Sequence, residues 1–343
     1  MLPVPPAGYG GIERIVDALL REYRTRGHLV GLVAHRDSCS PADERFSWPA
    51  PRRFCPPGIV RHALTLRRAV RAFRPEVVHS FSRLAYLVPL LRHGVPKVMS
   101  YQRHAGGAQI TWAARLAGRS LRYTGCSEFI CNMGRRTGGD WRAIPNFVEV
   151  DRFRFAPCVE RDAPLVFLSR IESIKGADVA IAIARRAGRA LILAGNRATH
   201  GPEAEYWERC IAPQIGNDGV TFIGEVDDIS KRALLARAAA LIVPVQWDEP
   251  FGIVFAEALA AGTPIITCAR GALPEIVRPG ETGFFIRSIE DGAEAVERLS
   301  TLDRAVCRRD AENRFSVGVC AAQYLRLYSE MMSTAGRSED ATT

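Results

Sequence analysis

The sequence predicts an α/β protein with two domains, each built on a parallel β-sheet. The chain has 343 residues, which is enough for two domains of ordinary size. Hydrophobic residues make up 47% of it and charged residues 24%, as in a soluble globular protein. Short apolar runs alternate with helical segments, and this alternation is typical of parallel strands joined by helices.

The first domain is predicted over residues 1–156 and opens on a glycine-rich loop that leads into an amphipathic helix. The glycines of the loop are Gly8, Gly10 and Gly11. Such a loop can bring bare backbone to a diphosphate. The strand before it should be central in a doubly wound sheet, but three prolines fill the six residues before Ala7, and proline cannot lie in a central strand. We therefore expect that the first strand is missing because the chain starts late. A short strand over residues 2–4 is the alternative.

The remaining elements of this domain follow from apolar runs and breaker residues. Strands are predicted over residues 28–34, 53–55, 76–81, 97–102, 123–127 and 142–145, with a loop over residues 37–51. A helix over residues 61–74 has an apolar face with arginines beside it. The apolar residues are Leu66, Val70 and Phe73, and the arginines are Arg67, Arg71 and Arg74. Both a basic membrane-surface helix and a solvated arginine face over a core stripe fit this pattern.

The second domain is predicted over residues 164–312, as strands that alternate with helices. Its strands are residues 165–169, 190–194, 220–223, 241–245, 265–268 and 283–286, and its helices are 177–186, 203–215, 230–239 and 253–261. A last helix is predicted over residues 317–332, and the tail from residue 334 to residue 343 is predicted to be disordered.

The totals exclude several classes of protein. No run of about 18 apolar residues predicts a membrane span, and no signal peptide is expected. Nine cysteines without C-x-x-C spacing indicate buried thiols in a reducing, cytoplasmic compartment rather than a disulfide framework or a zinc site. The net charge is +9, but 43 of the 46 cationic residues are arginines, and a GC-rich genome explains such usage. Lys175 is thus a lysine where this sequence nearly always uses arginine.

The stretch from residue 243 to residue 267 carries the clearest chemistry. An apolar strand runs into a loop with Pro250 and Gly252, and a helix begins near Ile253. The free N–H groups at that helix start suit a phosphate. Glu249 precedes the helix, and Glu257 lies about 7 Å along its axis, so two hydroxyl-accepting carboxylates flank an anion site. A sugar–diphosphate–ribose ligand has this layout, although two solvated glutamates beside an ordinary helix start have the same spacing.

This stretch resembles the donor-site signature of the retaining glycosyltransferases of family 4, the glycosyl transferases group 1. The family pattern is E-x7-E followed by A-x-G-x-P, and the residues that fit it are Glu249, Glu257, Ala260, Gly262 and Pro264. Five further segments are similar: LSRIESIKG at residues 168–176, LILAG at 191–195, FIGEV at 222–226, GALPEIV at 271–277 and GETGFFI at 280–286. The resemblance covers the second half in order and the first half more thinly. It implies the GT-B fold, two Rossmann-like domains facing a cleft, with the helix over residues 317–332 packed back on the first domain.

The resemblance also implies roles for individual residues. Arg170 and Lys175 would bind the diphosphate leaving group and replace a metal ion as the bond breaks. Glu257 would hold the ribose hydroxyls and Glu249 the hydroxyls of the transferred sugar. The phosphate cradle would be completed by the backbone of Phe251, Gly252 and Ile253 and by that of Gly10 and Gly11.

A histidine after the strand over residues 97–102 would lie near the sugar in many members of the family. Gln102 and Arg103 stand at the expected place here, and His104 follows one or two positions late. His104 is therefore a catalytic candidate, with Arg103 as a rival anion contact. His79, at the end of an earlier strand, is predicted either to line the cleft or to be a structural histidine.

The resulting prediction is a metal-independent, retaining hexosyltransferase-type enzyme of polysaccharide biosynthesis. It needs no cofactor beyond a nucleotide-diphosphate sugar as co-substrate, and its acceptor is a glycan, a lipid-linked glycan or a small metabolite. Peripheral contact with the inner face of the membrane is compatible with this prediction, and binding to nucleic acid is not expected. The alternative is a truncated or impaired nucleotide-sugar-binding protein.

Other enzyme classes are disfavoured by what the sequence lacks. A dehydrogenase needs an acidic residue after the glycine-rich loop. A phosphorylase needs a lysine that carries a cofactor, and the chain has only three lysines. The metal-dependent GT-A class needs a D-x-D pair, whereas Asp227 and Asp228 are adjacent and fit a helix cap.

Overall fold

The computed structural model describes residues 2–6, 10–49 and 56–340. The chain forms two compact units. One consists of Met1–Asn146 together with Val317–Thr343, and the other of Phe147–Ser316. No helix of the described residues is both long enough and apolar enough to cross a bilayer.

Twelve strands and thirteen α-helices are found in the described part of the chain. The strands are β1 (Gly31–Ala34), β2 (Glu44–Ser47), β3 (Val78–Ser80), β4 (Lys97–Tyr101), β5 (Leu121–Gly125), β6 (Trp141–Ala143), β7 (Leu165–Leu168), β8 (Leu191–Ala194), β9 (Val220–Phe222), β10 (Ala240–Val243), β11 (Ile265–Thr267) and β12 (Gly283–Phe285). The helices are α1 (Gly11–Thr25), α2 (Pro56–Phe73), α3 (Leu84–Leu87), α4 (Ala108–Ala117), α5 (Glu128–Arg135), α6 (Ala177–Arg186), α7 (Pro202–Tyr206), α8 (Asp228–Arg237), α9 (Ile253–Ala260), α10 (Leu273–Ile276), α11 (Ile289–Glu297), α12 (Arg304–Phe315) and α13 (Val317–Asp340).

The first unit contains a four-stranded parallel sheet of order β3-β4-β5-β6 and a parallel pair, β1-β2. The strand β2 lies in the stretch predicted to be loop, and that prediction is wrong. Its residues ERFS are mostly exposed, so no apolar alternation marks them, and pairing with β1 makes the strand. The strand predicted over residues 53–55 lies outside the described residues.

The segment ahead of α1 is held by packing and backbone hydrogen bonds. None of the described residues 2–6 and 10 forms a strand. Val4 is only 7% exposed and packs with Leu20, Leu32 and Ala34. Its carbonyl oxygen accepts hydrogen bonds from the N–H groups of residues 39 and 40, both at 3.0 Å.

The helix α2 has the predicted core stripe, with Leu66 and Val70 buried and Phe73 half-buried. Arg67 and Arg71 are exposed beside it. Its use as a surface for an anionic bilayer stays a prediction. Burial is confirmed for four cysteines, Cys126, Cys131, Cys307 and Cys320, and Cys268 is half-buried. The expectation of buried thiols is wrong for Cys39, Cys158 and Cys210, which are exposed.

The helix α13 belongs to the first unit and is longer than predicted. It continues to Asp340, so the prediction of disorder from residue 334 is wrong up to that point. Residues 334–340 are polar and lack apolar periodicity, which is why the pattern ended early. They contain no proline, so nothing in them prevents the helix from continuing.

A chain of hydrogen bonds connects α13 to α1 and to the sheet of the first unit. Nδ1 of His79 lies 2.5 Å from the Tyr328 hydroxyl, and its Nε2 lies 2.6 Å from Oγ of Ser100. The Tyr328 hydroxyl is also 3.1 Å from that of Tyr23 on α1, and Ser100 Oγ is 2.5 Å from Oγ1 of Thr124. Of the two predictions for His79, the structural one is confirmed, because both ring nitrogens are used inside this unit.

The protonation of His79 predicts a pH dependence of stability. Burial lowers its pKa to about 3, from about 6.5 in an unfolded chain. The unfolded chain therefore binds a proton that the folded one does not, and the free energy of unfolding decreases as the pH falls from about 6.5 towards 3. At about 1.4 kcal/mol per pH unit, this residue alone should remove roughly 2 kcal/mol between pH 6.5 and pH 5.

Urea unfolding of the wild type and of His79→Gln at several pH values checks this expectation. The difference in free energy of unfolding between them should shrink by that amount as the solution is acidified. His104→Gln, at an exposed histidine, is the matched control and should follow the wild type. If the free energy of unfolding of the wild type and that of His79→Gln changed equally with pH, the expected effect of His79 would be contradicted.

The second unit is built on one six-stranded parallel sheet of order β12-β11-β10-β7-β8-β9. The central strands β7 and β10 are buried at every residue, which explains why they read as continuous apolar runs. From β7 the chain builds the sheet outward in one direction, and from β10 in the other. The carboxyl ends of β7 and β10 therefore form a topological switch point, where open α/β sheets bind ligands.

The predicted strands of this unit are all present, each within one or two residues of its predicted ends. The helix predicted over residues 203–215 is wrong as one α-helix. The α-helix ends at Tyr206, and a π-helical turn (Trp207–Ile211) and a 3₁₀ turn (Ala212–Gln214) follow. Pro213 has no N–H to continue an α-helical ladder, which accounts for the change. Asp227 is a helix cap as predicted, because its side chain accepts from the Ser230 N–H at 2.7 Å.

Candidate active site

Two loops meet at the switch point of the second unit. The loop after β7 leads through a 3₁₀ turn, Ser173–Lys175, into α6, and the loop after β10 leads into α9. Lys175 Nζ lies 2.5 Å from Oε2 of Glu249, although the two residues are 74 positions apart. Their side chains are 11% and 10% exposed, so this is a largely buried ion pair. The structure thus brings together two of the predicted catalytic residues.

Trp247 completes this contact and was missed by the sequence analysis. Its Nε1–H donates to the same Glu249 oxygen at 3.0 Å, and the Lys175 ammonium lies 4.7 Å from the centroid of its ring. The other carboxylate oxygen, Oε1, has no hydrogen-bond partner among the described residues. The arrangement holds the carboxylate in one orientation and leaves one oxygen for a ligand. The signal was a tryptophan two positions before the first glutamate of the motif, in a loop.

Gly176 permits the two loops to approach each other. Its φ is 73°, in the left-handed region, and a Cβ there would lie 2.3 Å from the Pro244 carbonyl oxygen. No other residue type fits this position without moving the backbone. The close approach places the end of the 3₁₀ turn against the start of the second loop, which lets Lys175 reach Glu249.

The start of α9 is open towards the same edge of the sheet. Gly252 is its N-cap residue in a left-handed conformation, with φ of 75°, and it supplies no side-chain cap. Ile253 is the first helical residue, so N–H groups of the first turn are available to an anion. The Phe251 side chain is 3% exposed and meets the Phe315 ring edge-on at 5.7 Å, so only its backbone can serve a ligand.

Glu257, on α9, has a lysine partner that the sequence analysis did not predict. Lys231 Nζ lies 2.5 Å from Oε1 of Glu257 and 3.2 Å from Oδ1 of Asp228. The scarcity of lysine, which singles out Lys175, marks Lys231 in the same way. Each of the two predicted glutamates is therefore paired with one of the three lysines of the chain.

Arg170 lies in the same loop as Lys175 but on its outer side. Its side chain is 49% exposed and is ion-paired with Glu172, two positions along. It is therefore near the buried pair in sequence but takes no part in that contact. Glu172 is contacted through Nη1 alone, so other N–H donors of the guanidinium remain for a ligand anion.

The remaining predicted site residues lie in the first unit. Gly10 is the N-cap of α1, and Gly11 is its first residue. A Cβ on Gly10 would lie 2.8 Å from the Pro6 side chain, so packing also requires glycine there. His104 is exposed, and its Nε2 lies over Gly106. Gly8 is outside the described residues.

Gln102 directly follows β4, at the carboxyl edge of its sheet. Both polar atoms of its side-chain amide are buried without a hydrogen-bond partner among the described residues. Arg103, the next residue, is exposed. Gln102 was not itself a candidate, but unlike Arg103 and His104 it has polar side-chain atoms enclosed by the protein.

Two family models match the chain, one in each half. The model of the glycosyl transferases group 1 matches residues 151–314, and the model of Glycosyltransferase Family 4 matches residues 9–152. Together they cover most of the chain. The chain belongs to the family 4, group 1 glycosyltransferases.

Individual relatives are distant. A phosphatidyl-myo-inositol mannosyltransferase of Mycobacterium leprae is 33% identical over 124 residues, 34% of this chain and 33% of that protein. The glycogen synthase of Mycobacterium tuberculosis is 27% identical over 307 residues, 78% of this chain and 73% of that protein. The chain thus spans a third of the first relative and about three quarters of the second.

Among solved structures, AviGT4, a glycosyltransferase involved in avilamycin A biosynthesis, is 25% identical. It matches with a TM-score of 0.68 over 97% of this chain and 93% of its own. The predicted fold class, GT-B with two parallel-sheet α/β domains, is confirmed.

Proposed function

We propose that this glycosyltransferase moves a sugar from a nucleotide-diphosphate sugar to a hydroxyl group of a glycan, a lipid-linked glycan or a small metabolite. Transfer proceeds with retention of configuration and without a metal ion. The observation that carries the proposal is the buried contact of Lys175 with Glu249 at the switch point, next to the uncapped start of α9. A cation, a carboxylate with one free oxygen and a helix N-terminus are the groups that a sugar phosphate requires.

The diphosphate would lie at the positive groups of the two loops. Lys175 uses one of its three N–H donors on Glu249, so further donors remain for phosphate oxygens. The backbone N–H groups at Ile253 add the partial positive charge of the helix start. Arg170 adds a second cation, because its guanidinium has N–H donors beyond the one that Glu172 uses.

The two carboxylates would bind the ends of the donor. Glu249 accepts a hydroxyl of the transferred sugar through Oε1, because Oε2 is already used by Lys175 and Trp247. Glu257 accepts a ribose hydroxyl through Oε2, because Oε1 is used by Lys231. The expected roles of Gly10 and Gly11 in the phosphate cradle, and of His104 or its rival Arg103 near the sugar, stay predictions.

The chemical step breaks the bond between the anomeric carbon and a phosphate oxygen. Negative charge develops on the leaving diphosphate, where Lys175 and Arg170 stabilise it more than in the ground state. The acceptor hydroxyl attacks the same face of the sugar, and its proton passes to the departing phosphate oxygen. The products are a glycoside with unchanged anomeric configuration and a nucleoside diphosphate.

Turnover of UDP-glucose, GDP-mannose and ADP-glucose in excess EDTA tests this proposal. Since cationic side chains take the place of a metal, the rate of nucleoside diphosphate release should agree within about two-fold with and without the chelator. Proton NMR of the product should show the anomeric configuration of the donor.

Loss of turnover in EDTA with recovery in Mg²⁺ would overturn metal independence. Binding of a donor without hydrolysis or transfer would instead identify a nucleotide-sugar-binding protein.

A further inference from the structure

Lys231 contacts a carboxylate of the donor motif but has no role in the motif or in the proposed chemistry. It lies on α8, which starts at the Asp227 cap, and its ammonium crosses to Glu257 on α9. The Lys231 side chain is 19% exposed and that of Glu257 is 14% exposed. Asp228, at 3.2 Å, is a second carboxylate on the same ammonium. The contact therefore joins two helices through a partly enclosed charge cluster.

The use of lysine in this chain indicates that such contacts are specific. Only three lysines stand among 46 cationic residues. Lys97 is fully buried and donates to the carbonyl oxygens of His93 and Val95 at 2.6 and 2.8 Å. Lys175 is buried against Glu249. Lysine thus occurs where a compact ammonium is enclosed by acceptors, and the planar five-donor fork of arginine does not fit such a place.

The contact with Lys231 determines how Glu257 can present its carboxylate to a ligand. A free carboxylate on a helix can rotate and present either oxygen or both. Lys231 donates to Oε1 of Glu257, so Oε2 is the oxygen that keeps its full capacity to accept from a ligand. A hydrogen bond to a charged acceptor is stronger when the acceptor is held in place, because no rotamer freedom is lost on binding.

We propose that Lys231 is a positioning residue that gives the donor site its preference for ribose over deoxyribose. By holding Glu257 in one orientation, it presents a single carboxylate oxygen to the vicinal diol of the nucleoside. This inference rests on the proposed function, in which Glu257 binds the ribose. It assigns the preference for the sugar of the nucleotide to a pair of side chains and not to Glu257 alone.

The test compares dissociation constants for a ribonucleoside diphosphate with those for its 2′-deoxy and 3′-deoxy forms. The ligand series is that of UDP, GDP or ADP, whichever the wild type binds, and the method is calorimetry. In the wild type, at least one deoxy form should bind about 10-fold or more weakly, since a hydrogen bond to a charged group is lost. In Lys231→Met, the ribonucleotide should bind about 10-fold more weakly, while the affinity for that deoxy form is nearly unchanged. The ratio of the dissociation constant of the deoxy form to that of the ribonucleotide therefore falls towards one.

Four further variants separate positioning from general stability. Lys231→Arg should not restore the ratio, because the guanidinium does not fit the enclosed site. The double variant Lys231→Met/Glu257→Gln should bind no more weakly than Glu257→Gln, because both changes act through one contact. Arg237→Met removes an exposed cation from the same helix and should keep the wild-type ratio. Lys231→Gln also removes the ammonium, and its melting temperature is measured so that it can replace Lys231→Met if the methionine variant does not fold.

Two results in Lys231→Met would overturn the inference. An equal loss of affinity for the ribose and deoxyribose forms in Lys231→Met would show that Lys231 only supports the fold, and would overturn the inference. So would unchanged affinities. A wild-type protein that is folded but binds no nucleoside diphosphate would overturn the proposed function, and the inference with it.

Discussion

Replacing Lys175 with methionine is expected to lower the turnover of the nucleotide sugar by about 10²–10³-fold, the range observed when one group that stabilises developing charge is removed. The effect should be in kcat, because the diphosphate gains charge only as the glycosidic bond breaks. Arg170 is exposed and paired with Glu172, so it does not replace the buried ammonium. Steady-state kinetics on the donor that the wild type turns over measures the change.

The variant must be distinguished from an unfolded protein. Lys175→Met leaves Glu249 buried without its cation, and breaking a buried pair costs about 3–5 kcal/mol of stability. The double variant Lys175→Met/Glu249→Gln removes both charges and should recover most of that stability but none of the activity. Arg186→Met, at an exposed arginine of α6, is the matched control and should keep wild-type turnover. A folded Lys175→Met with wild-type kcat would contradict the assigned role.

Glu257→Gln is expected to raise the dissociation constant of the nucleoside diphosphate by about 10–100-fold. A hydrogen bond to a charged group contributes about 1.5–3 kcal/mol, and the neutral amide accepts a ribose hydroxyl more weakly. Glutamine keeps the shape of the side chain on α9, so the fold should be little affected. Calorimetry with UDP, GDP and ADP gives the affinities.

The matched control for this change is Glu294→Gln, at an exposed glutamate of α11 in the same unit. It should bind the nucleotide as the wild type does. Equal affinities of Glu257→Gln and the wild type would place the ribose elsewhere. Weaker binding in both variants would indicate a general charge effect and not a contact.

The central sheet of the second unit was predictable because its strands are buried on both faces. Such strands leave long apolar runs, as in β7 and β10, and breaker residues mark their ends. For α6 the predicted and observed limits agree, from Ala177 to Arg186. The strand β2 was not predictable in this way, since it is an exposed segment that pairs with β1 alone.

The site was predictable in its residues but not in its contacts. Glu249 and Glu257 stand out by their spacing, yet their partners Lys175 and Lys231 come from other helices or loops. Such pairings depend on which strands are neighbours, and local sequence does not encode that order. The same holds for His79, whose role is set by Tyr328, 249 positions away.

The most direct test of the donor site is the melting temperature of the purified protein with UDP, GDP and ADP, each in EDTA. A ligand at 100 times its dissociation constant stabilises the folded state by about 2.7 kcal/mol, which should raise the melting temperature of a unit of this size by roughly 5–10 °C. We predict such a shift with one of the three nucleotides, and its loss in Glu257→Gln. A folded protein whose melting temperature none of them changes would contradict the donor site.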